Sequence, residues 1–400
     1  MSVAPVFRPV PSAPARRGAT RYQSLDALRG IAAMAVVFQH CMMSLPVWSD
    51  VILHGEHKGI VATVIGYPPL NLFWAGNVAV KVFFALSGFV LALMFVKTTP
   101  SYSAFVVKRI CRIYLPYIAV VAVAMVLMAS LANHPFYHPS EWLSHSWNHP
   151  ITAGLLTDHV LMLGQEKYNF VDNPIWSLVH EMRYSLIFPA IMWVVLRSKW
   201  SVTLIVSFTI SVGAMAMLRQ SNDYWLIDSL QYAFLFVSGA VLAVKRVEVT
   251  AGYRELRPSW RVAIGVASLL LLSFYGLGQG ASPLVRQLSS IAPHLGAPLL
   301  LVSVLGSVPA QRILESGPFL WIGKISYSLY LSHLVLLLTL LSCFGGRVPV
   351  YFILIATPLL ALLTADLLYR FVERSSIALG HGLASRMEPG KKVNYVPLNA

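Results

Sequence analysis

Charge is what this sequence lacks. Asp, Glu, Lys and Arg make up 12% of its 400 residues, about half the roughly 25% of a soluble domain. Hydrophobic residues make up 57%, and the mean hydropathy is +0.67. Together these values exclude a soluble enzyme built on a single core. Acidic residues are the scarcer sign: 16 stand against 30 basic ones, a net charge of +14. That surplus suits nucleic acid only where basic residues cluster. Here they are spread among short segments, so membrane topology explains them and no nucleic-acid partner is expected. Cysteine is nearly absent. Cys41, Cys111 and Cys343 lie in or beside apolar segments, with neither metal-ligand spacing nor a disulfide framework, and no metal is expected.

What the chain has is apolar runs. They are about 17–22 residues long, enough to cross the ~30 Å hydrocarbon core of a bilayer. Ten spans are expected, at 27–46, 78–96, 115–132, 176–196, 201–218, 230–245, 261–278, 293–308, 324–343 and 350–370. The fold class is therefore all-α, a polytopic transmembrane helix bundle. With a cytoplasmic N-terminus, twenty-three basic residues fall in cytoplasmic segments and five in outer ones. The positive-inside rule then places both termini in the cytoplasm. Residues 1–21 are basic and Pro-rich, with no small-residue cleavage site after the first apolar run. They read as a disordered cytoplasmic tail before an uncleaved first helix. Residues 375–400 read as a polar cytoplasmic tail, leaving 22–374 as the membrane domain.

The first long run, from Leu25 to His40, carries an arginine at one end and a histidine at the other. On a helix, Arg29 and His40 lie ~16 Å apart along the axis. Ionisable groups at such depth are costly in lipid and normally face a bundle interior or a water-filled cavity. The remaining spans read as the walls of that cavity.

Arg29 and His40, with ten residues between them and Leu25-Asp26-Ala27-Leu28 ahead, resemble the opening signature of the acyltransferase 3 family of integral-membrane acyltransferases. Four more stretches resemble family motifs in the same order. Phe83-Phe84-Ala85-Leu86-Ser87-Gly88-Phe89 is similar to its Phe-Phe-x-Leu-Ser-Gly-Phe segment, although Ser87 and Gly88 also suit simple helix packing. Lys108-Arg109-Ile110-Cys111-Arg112-Ile113, ahead of Pro116, is similar to its Arg-x-x-Arg-Ile segment. Trp176-Ser177-Leu178-Val179-His180-Glu181, with Pro189 beyond, is similar to its Trp-Ser-Leu-x-x-Glu…Pro motif. This chain has Tyr184-Ser185 where the family has an aromatic pair. Gly323-Lys324-Ile325-Ser326-Tyr327 with Tyr330-Leu331-Ser332-His333 is similar to its Gly-x-x-Ser-Tyr…Tyr-Leu-x-His run, and Phe371-Val372-Glu373-Arg374 closes the region.

The remaining features have bland readings as well. Lys81 sits near the outer face and is expected to snorkel. The outer loop 133–175 holds His134, His138, His145 and His149, on no single scaffold for a metal. Its Trp142 and Trp147 read as interfacial anchors or sugar-stacking faces. Spans five to eight show nothing catalytic. Ser326, Tyr330 and His333 share one helix face, which lipid does not accept. Asp366 and Arg370 are expected to pair at i, i+4.

The resemblance implies a stand-alone membrane O-acyltransferase, in the bacterial inner membrane, without a fused soluble domain. Its donor is an acyl-CoA, taken as acetyl-CoA, and no cofactor is tightly bound. Its acceptor is a hydroxyl on a sugar of a surface polysaccharide or other glycoconjugate. His40 and Glu181 are the candidate catalytic residues. His40 serves as general base or acyl carrier, with Glu181 orienting it. Arg29, Arg109 and Arg112 are candidates for the donor phosphates, and Ser326, Tyr330 and His333 for the donor tunnel. The rival reading is a proton-coupled transporter or flippase, which uses the same intramembrane residue types.

Overall fold

The computed structural model describes residues 22–388 except 56–58, 98–99, 135, 165–167, 219–226 and 279–280. Ten helices are long and apolar enough to cross a membrane: α1 (Gln23–Met43), α2 (Gly76–Val96), α3 (Tyr102–Ser130), α4 (Ile175–Arg197), α5 (Trp200–Leu218), α6 (Ile227–Glu255), α7 (Pro258–Gly276), α8 (Pro283–Gly306), α9 (Gly317–Phe344) and α10 (Val350–Met387). Their number and order match the ten runs expected from hydropathy, and the described residues hold no strand. Helices are the natural solution, because in hydrocarbon every backbone polar group needs a partner within its own segment. Exposed apolar side chains such as Ile205, Val262, Ile355 and Leu359 form the outer surface.

α1 lies between α2 and α9, and α2 packs along α6. Glycine permits both close approaches. A Cβ on Gly30 of α1 would come within 2.6 Å of the Gly323 backbone nitrogen on α9. Gly88 of α2 and Gly239 of α6 sit equally tightly against each other's helix backbone. Small residues at such crossings supply the van der Waals contact that holds membrane helices together. α1 and α9 both begin at one end of the bundle, the near end, and run in parallel to the far end, where α2 and α4 begin.

Two helices carry π turns, at Ile110–Tyr114 in α3 and at Tyr369–Glu373 in α10. Such turns are frequent at functional sites, because the extra residue re-aims the side chains around it. The first lies between Arg109, buried against α4, and the Pro116 that begins the apolar part of α3. The Asp366–Arg370 pair forms at 2.6 Å.

The C-terminal stretch departs from expectation. Residues 374–387 are a helix, not an open tail. Ile377, Gly380 and Ala384 recur at helical spacing and bury one face against the Tyr102–Arg109 segment of α3. The expected tail at 1–21 lies outside the described residues, as do 389–400. The loop 133–175 also has order. It holds short helices at Glu141–Ser144, Ala153–Val160 and Tyr168–Val171, the first two capped by the Ser140 and Thr152 side chains.

The crossing of α2 and α6 yields a prediction. Gly239→Ala should drive a methyl into the α2 backbone and destabilise the protein by about 1–3 kcal/mol. Gly213→Ala on α5 should be silent, because nothing lies within 4 Å of a Cβ there. Thermal melting of the solubilised protein measures both, and equal melting temperatures would contradict the packing account.

Candidate active site

At the far end, His40 reaches from α1 to α9. Its Nδ1 lies 2.8 Å from Nε2 of His333. The two rings are nearly coplanar, at 7°, with centroids 5.1 Å apart. A nitrogen contact so much shorter than the centroid separation means that the rings meet edge to edge through an in-plane hydrogen bond. His333 Nδ1 is in turn 2.9 Å from the Leu329 carbonyl. A carbonyl only accepts, so His333 Nδ1 carries the hydrogen and its Nε2 is the acceptor. His40 Nδ1–H must then be the donor, which leaves the lone pair of a neutral His40 on Nε2. The tautomers of both rings are thus set by one main-chain carbonyl.

His40 lines a cavity of about 670 Å³ at the far end. The indole of Trp142 lies beside it at 5.2 Å, inclined by 6°. Trp142 belongs to the short helix Glu141–Ser144, which is pinned to the end of α1. Ser140 Oγ donates to the Met43 carbonyl at 2.6 Å, and Glu141 meets His54 at 2.8 Å. The cavity is lined by amides and aromatic rings, among them Gln39, Asn77, Asn173, Trp176 and Tyr232. Just before α4, Asp172 is fully buried, and neither carboxylate oxygen has a hydrogen-bond partner among the described residues. Burial raises its carboxyl well above the ordinary range.

At the near end, Arg29 Nε donates to Ser326 Oγ at 2.8 Å and its Nη2 to the Gly323 carbonyl at 3.2 Å. Asp26 lies 3.4 Å from the same guanidinium. Arg29, Arg112, Ser177, Glu181, Ser326 and Tyr327 line a pocket of about 70 Å³. Arg112 donates no side-chain hydrogen bond to a described residue and is available to a ligand. The pocket is far smaller than the ~300–1,000 Å³ of ordinary ligand sites, so a ligand would enter it only by displacing side chains.

Glu181 belongs to this near-end group. It accepts from Arg109 Nη2 at 3.0 Å and from Ser87 Oγ at 3.0 Å. Arg109 is held further by Ser185 Oγ at 2.9 and 3.1 Å. The expected support of His40 by Glu181 is therefore not made. Glu181 faces the arginine that the π turn of α3 presents, and His333 takes the place beside His40. The small Ser185, where the family has an aromatic residue, leaves room for the Arg109 guanidinium. Ser87, read as packing, is a hydrogen-bond donor to the carboxylate.

Tyr330 lies between the two spaces and lines both. Its hydroxyl is 2.7 Å from Ser177 Oγ and donates to the Pro174 carbonyl at 3.0 Å. The three residues expected along one tunnel thus divide. Ser326 meets Arg29, Tyr330 stands at the partition, and His333 meets His40.

Three cavity residues were missed in the sequence. Lys81 lines the far-end cavity instead of reaching away to the surface. Asp228 at the start of α6 and His294 in α8 line it too, in the spans that showed nothing catalytic. The available signal was polarity inside apolar runs: His294 stands between Pro293 and Leu295 in a helix with few other ionisable groups.

Glu181 and Arg109 should behave as a coupled pair. Their side chains are 21% and 8% exposed, and breaking such a pair from one side should cost roughly 3 kcal/mol, the lower end for a buried ion pair. Glu181→Gln and Arg109→Gln should each lower stability, and the double variant should lose clearly less than their sum. Additive losses in a thermal-unfolding cycle would show that the pair is not formed.

The comparisons with known proteins agree with this architecture. A family model described as an acyltransferase domain matches residues 22–369. The chain is similar to O-acetyltransferase PaAT-1 of Phomopsis amygdali, with 25% identity over 444 aligned positions covering 92% of this chain and 86% of that one. It is also similar to acyltransferase MdmB of Streptomyces mycarofaciens, with 26% identity over 342 positions and 79% coverage of each. No solved structure matches at a significant level. The chain belongs to the acyltransferase 3 family and is a multi-pass integral-membrane acyltransferase.

Proposed function

We propose that the chain is an O-acyltransferase that moves an acyl group, acetyl in the simplest case, from acyl-CoA to an acceptor hydroxyl. The hydroxyl belongs to a sugar of a surface polysaccharide or other glycoconjugate. The observation that carries this reading is the two-sided site, with arginines at one end, an oriented histidine at the other, and Tyr330 between. The near end is the cytoplasmic one, where the positive-inside pattern places it and where acyl-CoA is available. Arg29 and Arg112 hold donor phosphates there, the task for which forked guanidinium donors are suited. The relative named as an O-acetyltransferase supports both the hydroxyl acceptor and the acetyl group.

In the far-end cavity, aromatic faces and amides suit the apolar faces and hydroxyls of a sugar. His40 Nε2 takes the proton of the acceptor hydroxyl as its oxygen attacks the thioester carbonyl. The carbon–sulfur bond then breaks, and the proton leaves His40 for the departing thiolate. While His40 is charged, its Nδ1–H remains on His333 Nε2, which holds the ring in place and disperses the charge. In a two-step variant, His40 Nε2 itself takes the acyl group before the acceptor does. Both routes need the same lone pair.

The test uses membranes containing the chain, labelled acetyl-CoA and the glycan fraction of the native host. His40→Ala should lower acetyl incorporation by ~10²–10⁴-fold, the usual worth of a general base. His333→Phe should lower it strongly as well. His333→Gln should retain more, because an amide oxygen can still accept from His40 Nδ1–H. Full activity in His40→Ala would overturn the reading. Equal activity in His333→Phe and wild type would remove His333 from it.

A further inference from the structure

We infer that the far-end cavity holds a site for an anionic group on the acceptor, a carboxylate or a phosphate, centred on Lys81, with His294 in the same wall. The inference rests on reading that cavity as the acceptor site. Lys81 stands about a turn and a half into α2, past the point where Gly76 packs on Val36 and Gln39 of α1. Its ammonium lies 3.5 Å from the Asn77 carbonyl and 4.8 Å from the centre of the Tyr275 ring. Among the described residues no carboxylate lies within ion-pair distance of it. The carboxylate that lines this cavity, Asp228, is engaged elsewhere: it lies 3.2 Å from His180 Nε2 and bonds Gln231.

A cation left without a counter-charge inside a membrane protein is costly and marks a functional pathway. A neutral sugar does not require it, because the amides of Gln39, Asn77 and Asn173 already supply donors and acceptors. His294 lies in the same wall. It is 1% exposed, with Nδ1 3.1 Å from the Ser290 carbonyl and Nε2 3.0 Å from the Gln231 carbonyl. With one ring hydrogen, one of these contacts is a lone pair facing a carbonyl. Only a ring with hydrogens on both nitrogens satisfies both. Lys81 and His294 therefore line one space, and among the described residues neither has an acidic partner there.

The acceptor class that follows is a glycoside bearing an acidic group, either a uronate-type carboxylate or a sugar phosphate. The test is equilibrium binding to the purified full chain in phosphatidylcholine nanodiscs, at low salt and without acyl donor. Phenyl β-D-glucuronide is compared with phenyl β-D-glucoside, and glucose 1-phosphate with glucose. Wild type should prefer at least one anion over its neutral partner by about tenfold, the scale of one charged contact. Lys81→Met should abolish the preference and Lys81→Arg should keep it. Which anion is preferred assigns the group as carboxylate or phosphate. The inference fails if wild type binds neither probe, if it shows no preference, or if the preference survives in Lys81→Met. Should Lys81→Met not fold, the wild-type ratio alone decides. Because no donor is present, a chain that binds as described but transfers nothing retains this site and loses the transferase reading.

Discussion

The site depends on the parallel packing of α1 against α9. Gly30 and Gly323 meet at the near end, and from that crossing each helix runs ten residues to a histidine. At 1.5 Å per residue, two parallel helices starting level remain level. His40 and His333 therefore arrive at the same depth, close enough to share a hydrogen. The same crossing sets Arg29 on Ser326. One backbone contact, possible only because both residues lack a Cβ, thus registers the arginine end and the histidine end together. A larger residue at either glycine would push the helices apart and break both pairings at once.

Much of this was legible in the sequence, and the parts that were not have a common cause. Ten spans follow from hydropathy, because the bilayer imposes a minimum length on each apolar run. Arg29, Arg109, Arg112, Glu181 and His40 stand out because charge inside apolar helices is expensive. What a one-dimensional reading could not supply was which of these groups meet. Glu181 is expected beside His40, but spacing along the chain does not show that the two side chains point into different spaces. The spacing that would have found the true partner was present, since Gly30 to His40 and Gly323 to His333 are equal steps. The far-end cavity was harder still. Its walls come from six or more segments, and residues such as Lys81, Asp228 and His294 acquire meaning only when those segments converge.

Electrostatics also distinguishes the two ends. At the near end, Glu181 is neutralised by Arg109 and bonded by Ser87, while Glu373 is bonded by Ser328 at 2.7 Å. These satisfied carboxylates form a fixed frame around the guanidinium of Arg112. At the far end, Lys81 faces no carboxylate within ion-pair distance among the described residues, and His40 keeps one nitrogen for the cavity. A transporter would also place ionisable groups in its interior, but the family and the relatives are acyltransferases. An oriented lone pair in one space, with Tyr330 at the border to the other, suits group transfer.

The central claim is that donor and acceptor approach from opposite ends and meet at Tyr330. A cryo-electron-microscopy structure of the full chain with bound coenzyme A tests it most directly. The account predicts phosphates beside Arg29 and Arg112, with the pantetheine arm threading the widened near-end pocket and its sulfur ending at Tyr330 and Ser177, within reach of His40 Nε2. Coenzyme A bound within the far-end cavity, or with its sulfur remote from both Tyr330 and His40, would contradict it.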